Sequence, residues 1–172
     1  QLTIYAATKK ANESMAHSYS HLWKIPITMF RFFTVYGPWG RPDMALFKFV
    51  SAILQDKPID IYNNGDMSRD FTYIDDLVQG IKFLVDCIPS TSKNSKILDE
   101  DSISPVAPYR VVNIGNSKKI NLLEFVKVIE RTLQKKAIYN YMPMQKGDVV
   151  ATFSNTSLLK KLTNYSPQTG YR

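Results

Sequence analysis

Apolar residues recur along the chain at two spacings, one typical of helices and one typical of short strands. The helical spacing predicts helices at about residues 6–23, 45–55, 75–87, 121–133 and 156–162. Short apolar runs rich in β-formers predict strands at about residues 27–35, 59–62, 71–74, 110–114 and 137–142. Because strands alternate with helices, the pattern predicts an α/β fold with parallel strand pairing.

The boundaries of these elements carry their own signals. Residues 27–35 are expected to form one continuous buried strand, and the prolines and glycines of residues 37–43 predict a loop directly after it. Asp75 is expected to cap the third helix, and Asn121 the fourth. Residues 90–108 are polar and rich in Ser and Pro, which is typical of a mobile surface loop.

Composition narrows the class of protein. The chain has 172 residues, 44% of them hydrophobic, and a single cysteine. No apolar run approaches the roughly 18 residues of a membrane span, so no membrane partner is expected. Cys87 is expected to be a small buried residue, and the lack of a possible intrachain disulfide fits the cytoplasm. His17 and His21 are one helical turn apart, but no further ligand cluster accompanies them, so no metal site is predicted.

The net charge of +7 raises the question of an anionic partner. Most lysines fall on polar faces and are expected to be solvated. No zinc-finger, helix-turn-helix or ribonucleoprotein motif is present, so nucleic acid is not expected as a partner. Arginine is scarce, so Arg31, Arg41 and Arg69 point instead to a small anion such as a carboxylate or phosphate.

Tyr5 and Lys9 are the first candidates for chemistry. They are four residues apart in the first predicted helix, so both side chains can project from one face, one turn apart. A phenol beside an ammonium can act as a base, because the positive charge stabilises the phenolate. Taken alone, so short a pattern fits two solvated residues on a helix better than a catalytic pair.

Four further segments change that balance. Residues 31–45 read RFFTVYGPWGRPDMA, residues 65–76 read GDMSRDFTYIDD, residues 112–116 read VNIGN and residues 147–149 read GDV. With Tyr5 and Lys9, this order and spacing resembles the extended short-chain dehydrogenase/reductase family. Within it the chain is similar to the NAD-dependent nucleotide-sugar epimerases, and most of all to the UDP-glucuronate 4-epimerases. The resemblance runs from Gln1 to about Asn164 and is weakest over residues 90–109.

The resemblance implies a catalytic pair and a cofactor contact. Tyr5 would be the base that takes a hydroxyl proton while hydride leaves to the nicotinamide of NAD. Lys9 would bond the nicotinamide ribose and favour the phenolate form of Tyr5. The backbone of Phe33 would meet the nicotinamide amide. The implied cofactor is therefore NAD, bound in part by Tyr5, Lys9 and Phe33.

The resemblance also implies four contacts to a UDP-sugar. Thr34 and Arg41 would hold the sugar carboxylate, Arg69 would clamp the diphosphate, and Asp148 would accept from a ribose hydroxyl. Structural alternatives remain open for each. Thr34 could satisfy strand-end backbone groups, Arg41 could pair with Asp43, Arg69 could pair with Asp70, and Asp148 could cap a loop.

The expected organisation is that of part of a larger enzyme. No Gly-x-Gly-x-x-Gly loop occurs in the chain, although the pyrophosphate of a dinucleotide is normally held by one. Residues 1–37 are expected to end a Rossmann-like domain whose N-terminal part is absent. Residues 38–172 are expected to form mainly a smaller α/β substrate-binding domain, with the strand near residues 110–115 returning to the Rossmann-like sheet. This C-terminal half is expected to be inactive alone, and the whole enzyme to be a homodimer that serves polysaccharide biosynthesis.

Other functions remain open. The first is a different nucleotide-sugar 4-epimerase, a dehydratase or a UDP-glucuronate decarboxylase of the same family. The second, from another class, is a cofactor-binding scaffold without catalysis, although such a protein is expected to have lost Tyr5 or Lys9.

Overall fold

A computed structural model describes residues 2–90 and 101–171. Helices and strands alternate along these residues, as the sequence pattern predicts. In chain order they are α1 (Ile4–Trp23), β1 (Ile27–Phe32), β2 (Thr34–Tyr36), α2 (Ala45–Leu54), β3 (Pro58–Ile61), a 3-10 turn (Tyr62–Gly65), β4 (Ser68–Tyr73), α3 (Ile74–Val85), β5 (Tyr109–Ile114), β6 (Lys119–Asn121), α4 (Leu122–Leu133), β7 (Ile138–Tyr141) and α5 (Ser157–Thr163).

The strands of the described residues form three small sheets. Strand β1 pairs in parallel with β5, and β3 pairs in parallel with β7. Strand β4 lies between β2, which runs parallel to it, and β6, which runs antiparallel. The α/β class and the predominance of parallel pairing are therefore confirmed.

The prediction of one buried strand over residues 27–35 is wrong. The chain leaves regular strand geometry at Phe33, so β1 pairs with β5 and β2 pairs with β4. Side chains of β1 are half-buried or exposed. Among the described residues β1 has β5 as its only neighbouring strand, which leaves its other edge and part of its surface uncovered.

Two hydrophobic clusters hold the sheets and helices together. The larger one joins α2, β3, β4 and α4 around stacked rings of Phe71 and Phe125, whose centroids are 4.3 Å apart. The other joins α3, β5 and α5 around Leu77, Ile114 and Leu159. Burial of such side chains contributes roughly 1.5–3 kcal/mol each, so these clusters supply most of the packing energy.

Helix starts agree only in part with their predictions. Asn121 is the N-cap of α4 as predicted, and its side-chain oxygen accepts from the Leu123 amide at 2.8 Å. Asp75 is not the cap of α3, because the helix already begins at Ile74 after an N-cap at Tyr73. Asp75 lies in the first helical turn, where a carboxylate still interacts favourably with the helix dipole.

The predicted surface loop over residues 90–108 is only partly described, since residues 91–100 lie outside the described residues. Residues 101–108 form a loop without helix or strand, as predicted, but Ser104 and Ala107 are buried, so this part is not simply a surface loop. Asp101 and Arg110 form an ion pair of 2.9 Å whose side chains are almost fully buried. Because this pair fixes the approach to β5, this stretch is part of the packed structure.

Cys87 lies just after the end of α3. Cys87 is half-buried rather than fully buried, and its thiol lies 3.3 Å from the carbonyl oxygen of Leu162. No helix among the described residues combines the length and hydropathy needed to cross a bilayer.

Candidate active site

Helix α1 lies against β1 and β5, and its N-terminal turns extend past the carboxyl ends of both strands. His21 contacts the Val106 carbonyl at 2.8 Å before β5 begins, and His17 contacts the Tyr109 ring at its start. Glu13 contacts Arg31, next to the last residue of β1. Each turn of α1 toward its N-terminus therefore lies closer to the carboxyl ends of the strands. The first turns of α1 therefore lie beyond the strand ends, where α/β sheets bind ligands.

Tyr5 and Lys9 occupy those first turns and face solvent. The Lys9 ammonium lies 5.5 Å from the centroid of the Tyr5 ring, and Tyr5 is 71% exposed. The Thr3 hydroxyl caps the helix by accepting from the Ala6 amide at 3.0 Å, which fixes the backbone just before Tyr5. The spacing prediction that both side chains share one face of a helix is confirmed.

Phe33 and Thr34 lie at the point where the chain passes from β1 to β2. A Cβ atom added to Gly115 would be only 3.1 Å from the Phe33 ring, so Phe33 packs closely on the backbone that follows β5. Thr34 opens β2 opposite Phe71 of β4. Both residues are half-buried and lie at the carboxyl end of β1, which stops at Phe32 rather than continuing to residue 35.

Arg41 lies in the loop after β2 and is paired with Asp43. Its Nε and Nη2 atoms donate to the two carboxylate oxygens of Asp43 at 3.0 and 2.7 Å, and both side chains are exposed. The pKa of Arg41 is raised, chiefly by this hydrogen bond, and the Tyr5 phenol adds a smaller electrostatic contribution. The same hydrogen bond lowers the pKa of Asp43. Arg41 therefore lies within electrostatic range of Tyr5, although its present partner is Asp43.

Gly37 makes this loop possible. Its φ of +136° belongs to a region that L side chains rarely adopt, and an added Cβ would lie 2.5 Å from Cγ2 of Ile74. The backbone therefore passes directly over the start of α3 as it leaves β2. This close passage determines where the segment that carries Arg41 begins.

Arg69 and Asp148 form an ion pair, although they are far apart in sequence. The Arg69 Nη2 atom lies 2.8 Å from Oδ1 of Asp148, with side-chain exposures of 19% and 36%. The Nη1 atom also donates to the Ser68 carbonyl at 2.9 Å and to the Val150 carbonyl at 3.3 Å. Arg69 is therefore held by its own strand and by the segment that carries Asp148.

Asp70 does not pair with Arg69, which removes that structural alternative. Asp70 is fully buried and accepts from the amides of Asn116, Ser117 and Ser154, each at 3.0 Å. These bonds join β4 to the segments after β5 and before α5. Sequence reasoning missed this role, and its signal was an acidic residue within a β-forming run. A buried carboxylate requires several donors.

The loop of Asp148 also contacts the start of α1. A Cβ atom added to Gly147, whose φ is +81°, would lie 2.9 Å from Cγ2 of Thr3. The Arg69–Asp148 pair is thereby connected to the turn that precedes Tyr5. Arg41 and Asp148 therefore approach the first turn of α1 from different loops, at the edge formed by the carboxyl ends of β1 and β5.

The exposed groups on α1 fit the nicotinamide end of NAD. Among residues 2–90 and 101–171, Lys9 has no carboxylate within ion-pair distance, and its ammonium is therefore available to ribose hydroxyls. The edge is open rather than enclosed, as the exposure of Tyr5 shows, and a cavity of about 640 Å³ lies elsewhere, between α4 and β7. In the same described part of the chain, no cluster of His, Cys, Asp or Glu could hold a metal ion.

Comparisons with known proteins extend these observations. The chain is 55% identical over 169 residues to a probable UDP-glucuronate 4-epimerase of Rhizobium meliloti (strain 1021), covering 96% of this chain and 49% of that protein. It is 44% identical over 172 residues to UDP-glucuronate 4-epimerase 1 of Arabidopsis thaliana, covering 97% of this chain and 39% of that protein. The chain therefore spans about half the length, or less, of these relatives.

A solved structure and a family model agree with these relatives. UDP-glucuronic acid 4-epimerase from Bacillus cereus, in complex with UDP-glucuronic acid and NAD, matches with a TM-score of 0.82 and 32% identity over 99% of this chain and 49% of that one. The Rossmann-like fold class is confirmed by this match. Residues 1–97, more than half of the chain, match the model of the NAD dependent epimerase/dehydratase family. The chain belongs to the NAD dependent epimerase/dehydratase family.

Proposed function

We propose that the whole protein is an NAD-dependent UDP-sugar 4-epimerase that interconverts UDP-glucuronate and UDP-galacturonate. The observation that carries the proposal is the arrangement of Tyr5 and Lys9. Both face solvent at the start of α1, beyond the carboxyl ends of β1 and β5, with the ammonium 5.5 Å from the phenol ring centroid. The high identity to named UDP-glucuronate 4-epimerases supports the choice of substrate.

The reaction requires a base that takes the proton from the C4 hydroxyl of the sugar. NAD, when bound, supplies the hydride acceptor and donor that a carbinol carbon without an acidic C–H requires. Tyr5 takes the hydroxyl proton and returns it after the sugar has presented its other face. Lys9 stabilises the phenolate and donates to the nicotinamide ribose. Phe33, whose ring packs on the backbone at Gly115, would offer its peptide group to the nicotinamide amide.

The diphosphate and ribose of the substrate are assigned to Arg69 and Asp148. The planar guanidinium of Arg69 suits phosphate oxygens, and a carboxylate such as Asp148 accepts from ribose hydroxyls. Their 2.8 Å ion pair, at the start of α1, aligns both groups before substrate arrives. Each retains further hydrogen-bonding capacity, since the pair uses one carboxylate oxygen and one guanidinium nitrogen of the fork.

The sugar carboxylate is assigned to Thr34 and Arg41. An intermediate oxidised at C4 is a β-keto acid that loses carbon dioxide readily, so an epimerase has to hold the carboxylate firmly. Asp43 already occupies Arg41 with two hydrogen bonds, at 3.0 and 2.7 Å, in the geometry that a substrate carboxylate would use. Substrate would therefore exchange with Asp43 for the same guanidinium edge.

The domain organisation belongs to the same proposal. Residues 1–37 end a Rossmann-like domain and residues 38–172 contribute mainly to substrate binding, while β5 returns to the first domain. The parallel pairing of β1 with β5 supports this division. We further propose a cytoplasmic homodimer that serves polysaccharide biosynthesis, without nucleic acid or membrane partners. Exposed apolar residues such as Leu22 and Trp23 on α1 are compatible with an interface.

Product analysis tests the proposal and separates its alternatives. The full-length protein is incubated with UDP-glucuronate, and UDP-galacturonate is expected as the product. A UDP-pentose would identify a decarboxylase, and no conversion by a folded protein would favour the scaffold. Tyr5→Phe is expected to lower turnover roughly 10²–10⁴-fold, because the phenolic oxygen moves the proton. Binding of the UDP-sugar should change little, because the lost interaction belongs to the transition state.

A further inference from the structure

Glu13 is the acidic residue best placed to neutralise Lys9. It lies four residues after Lys9 on α1, the spacing at which a Lys and a Glu become neighbours on a helix surface. The same helix face carries Tyr5 one turn earlier. An ion pair between Glu13 and Lys9 would cancel the positive charge that favours the phenolate.

Arg31 holds the Glu13 carboxylate away from that contact. The guanidinium of Arg31 donates Nε to Oε1 at 2.6 Å and Nη2 to Oε2 at 2.7 Å, so both carboxylate oxygens are occupied. The Glu13 side chain is only 12% exposed. The Arg31 hydrogen bond is the largest cause that lowers the pKa of Glu13, to about 2, so the carboxylate stays ionised and bound to the strand.

We infer that Arg31 is a positioning residue, which keeps the ammonium of Lys9 unpaired by binding Glu13 to β1. The inference rests on the proposed roles of Tyr5 and Lys9. The sequence pointed to Arg31 as one of three arginines that could bind a small anion, but its observed anionic partner is Glu13, and the family resemblance assigned it no contact with NAD or the UDP-sugar. The bidentate geometry matters, because a planar fork occupies both carboxylate oxygens at once, whereas a point charge would leave one free.

The other charged and titratable groups near this cluster do not replace Arg31. Lys10 contacts Glu13 Oε2 at 2.8 Å but is 53% exposed and bonds one oxygen. His17 on α1 and Tyr109 on β5 line the same hollow, and His17 is bonded to Ser104 at 2.8 Å. On the side of Tyr5, Arg41 of the loop after β2 adds positive charge. Arg31 therefore supplies the contact that fixes Glu13 to the sheet.

The test compares the full-length protein with Arg31→Gln, with Glu13→Gln and with the double variant. Released from Arg31, Glu13 can pair with Lys9, so Arg31→Gln should shift the acid side of the kcat profile about one unit toward higher pH. On the acid limb of the profile, below the wild-type midpoint, activity should fall up to about tenfold, and it should recover at alkaline pH. Glu13→Gln and the double variant lack the competing carboxylate, so both should keep the wild-type profile.

A second readout does not depend on catalysis. The alkaline absorbance change of Tyr5 is obtained as the difference between each protein and its Tyr5→Phe counterpart. For Arg31→Gln this transition should also move about one unit to higher pH, and the double variant should restore it. Lys10→Gln is the matched control, because it removes a cation from Glu13 while Arg31 still binds both oxygens. It should move neither readout.

The outcomes distinguish two failures. If the wild type does not convert a UDP-sugar, the proposed function fails, while the absorbance titration still reports on the contact. If Arg31→Gln leaves the Tyr5 transition in place, or if the double variant is as impaired as Arg31→Gln, the inference is overturned. Should Arg31→Gln fail to fold, Glu13→Gln decides, because a shifted Tyr5 transition in that variant contradicts the inference.

Discussion

At the scale of single residues, substitution of Arg41 tests the proposed preference of the protein for UDP-glucuronate over a neutral UDP-sugar. If Arg41 binds the sugar carboxylate, Arg41→Ala should weaken UDP-glucuronate far more than UDP-glucose. A lost hydrogen bond between charged groups is worth about 1.5–3 kcal/mol, or roughly ten- to a hundredfold in affinity. Competition binding of both UDP-sugars to full-length wild type and variant measures the difference.

Two other outcomes for Arg41 have distinct meanings. Equal losses for both UDP-sugars would assign Arg41 to the diphosphate, which they share, and would remove this reason for preferring glucuronate. A change below about twofold for both would leave Arg41 as a loop residue paired with Asp43, since exposed ion pairs contribute little. Lys48→Ala, in the following helix, serves as a control for the loss of one positive charge near the loop.

At the scale of elements, periodicity predicted helices better than it predicted strand partners. Helix α4 follows its predicted range because one amphipathic face and one N-cap residue, Asn121, lie within the segment itself. The run over residues 27–35 looks continuous in sequence. Its division at Phe33 depends on β5 and β4, which are supplied by distant parts of the chain. Hydrogen-bond partners of this kind leave no local pattern.

At the scale of elements, substitution of Gly37 tests how the loop after β2 is connected to α3. Gly37→Ala should destabilise the full-length protein, because its φ of +136° is unfavourable for alanine and the new Cβ would lie 2.5 Å from Ile74. Strained backbone of this kind costs about 1–3 kcal/mol, which lowers Tm by roughly 2–4 °C for each kcal/mol in a domain of this size. Gly170→Ala is the matched control, since an added Cβ there meets nothing within 4 Å. Equal Tm values for both variants would contradict this account.

At the scale of the whole molecule, the structure shows contacts between residues that the sequence could identify only one at a time. Family motifs pointed to Arg69 and Asp148 as separate contacts, yet their 2.8 Å ion pair joins β4 to a loop beyond β7. Asp70 was assigned no role of its own, because its donors come from Asn116, Ser117 and Ser154. Such polar connections depend on three-dimensional packing, which explains why the candidate residues were predictable and their mutual arrangement was not.

NAD binding by the 172-residue chain alone is the prediction that belongs to the whole molecule. Tyr5, Lys9 and Phe33 are assigned to the nicotinamide end of NAD. The pyrophosphate is normally held by a glycine-rich loop at a helix N-terminus, and none of the 172 residues forms such a motif. We therefore expect no measurable epimerase activity from the chain alone. Calorimetry should show NAD binding far weaker than micromolar, since a micromolar Kd requires about 8 kcal/mol.

The exposed apolar surface supplies a control on that experiment. Leu2, Ile4 and Phe32 are exposed near the proposed cofactor edge, so the isolated chain should associate as its concentration rises. Calorimetry is therefore accompanied by light scattering, so that weak binding is not confused with association that hides the edge. A micromolar Kd for NAD in a monomeric sample would contradict the assignment, because the nicotinamide end would then be sufficient for tight binding. It would also mean that residues of this chain other than Tyr5, Lys9 and Phe33 make the main contacts with NAD.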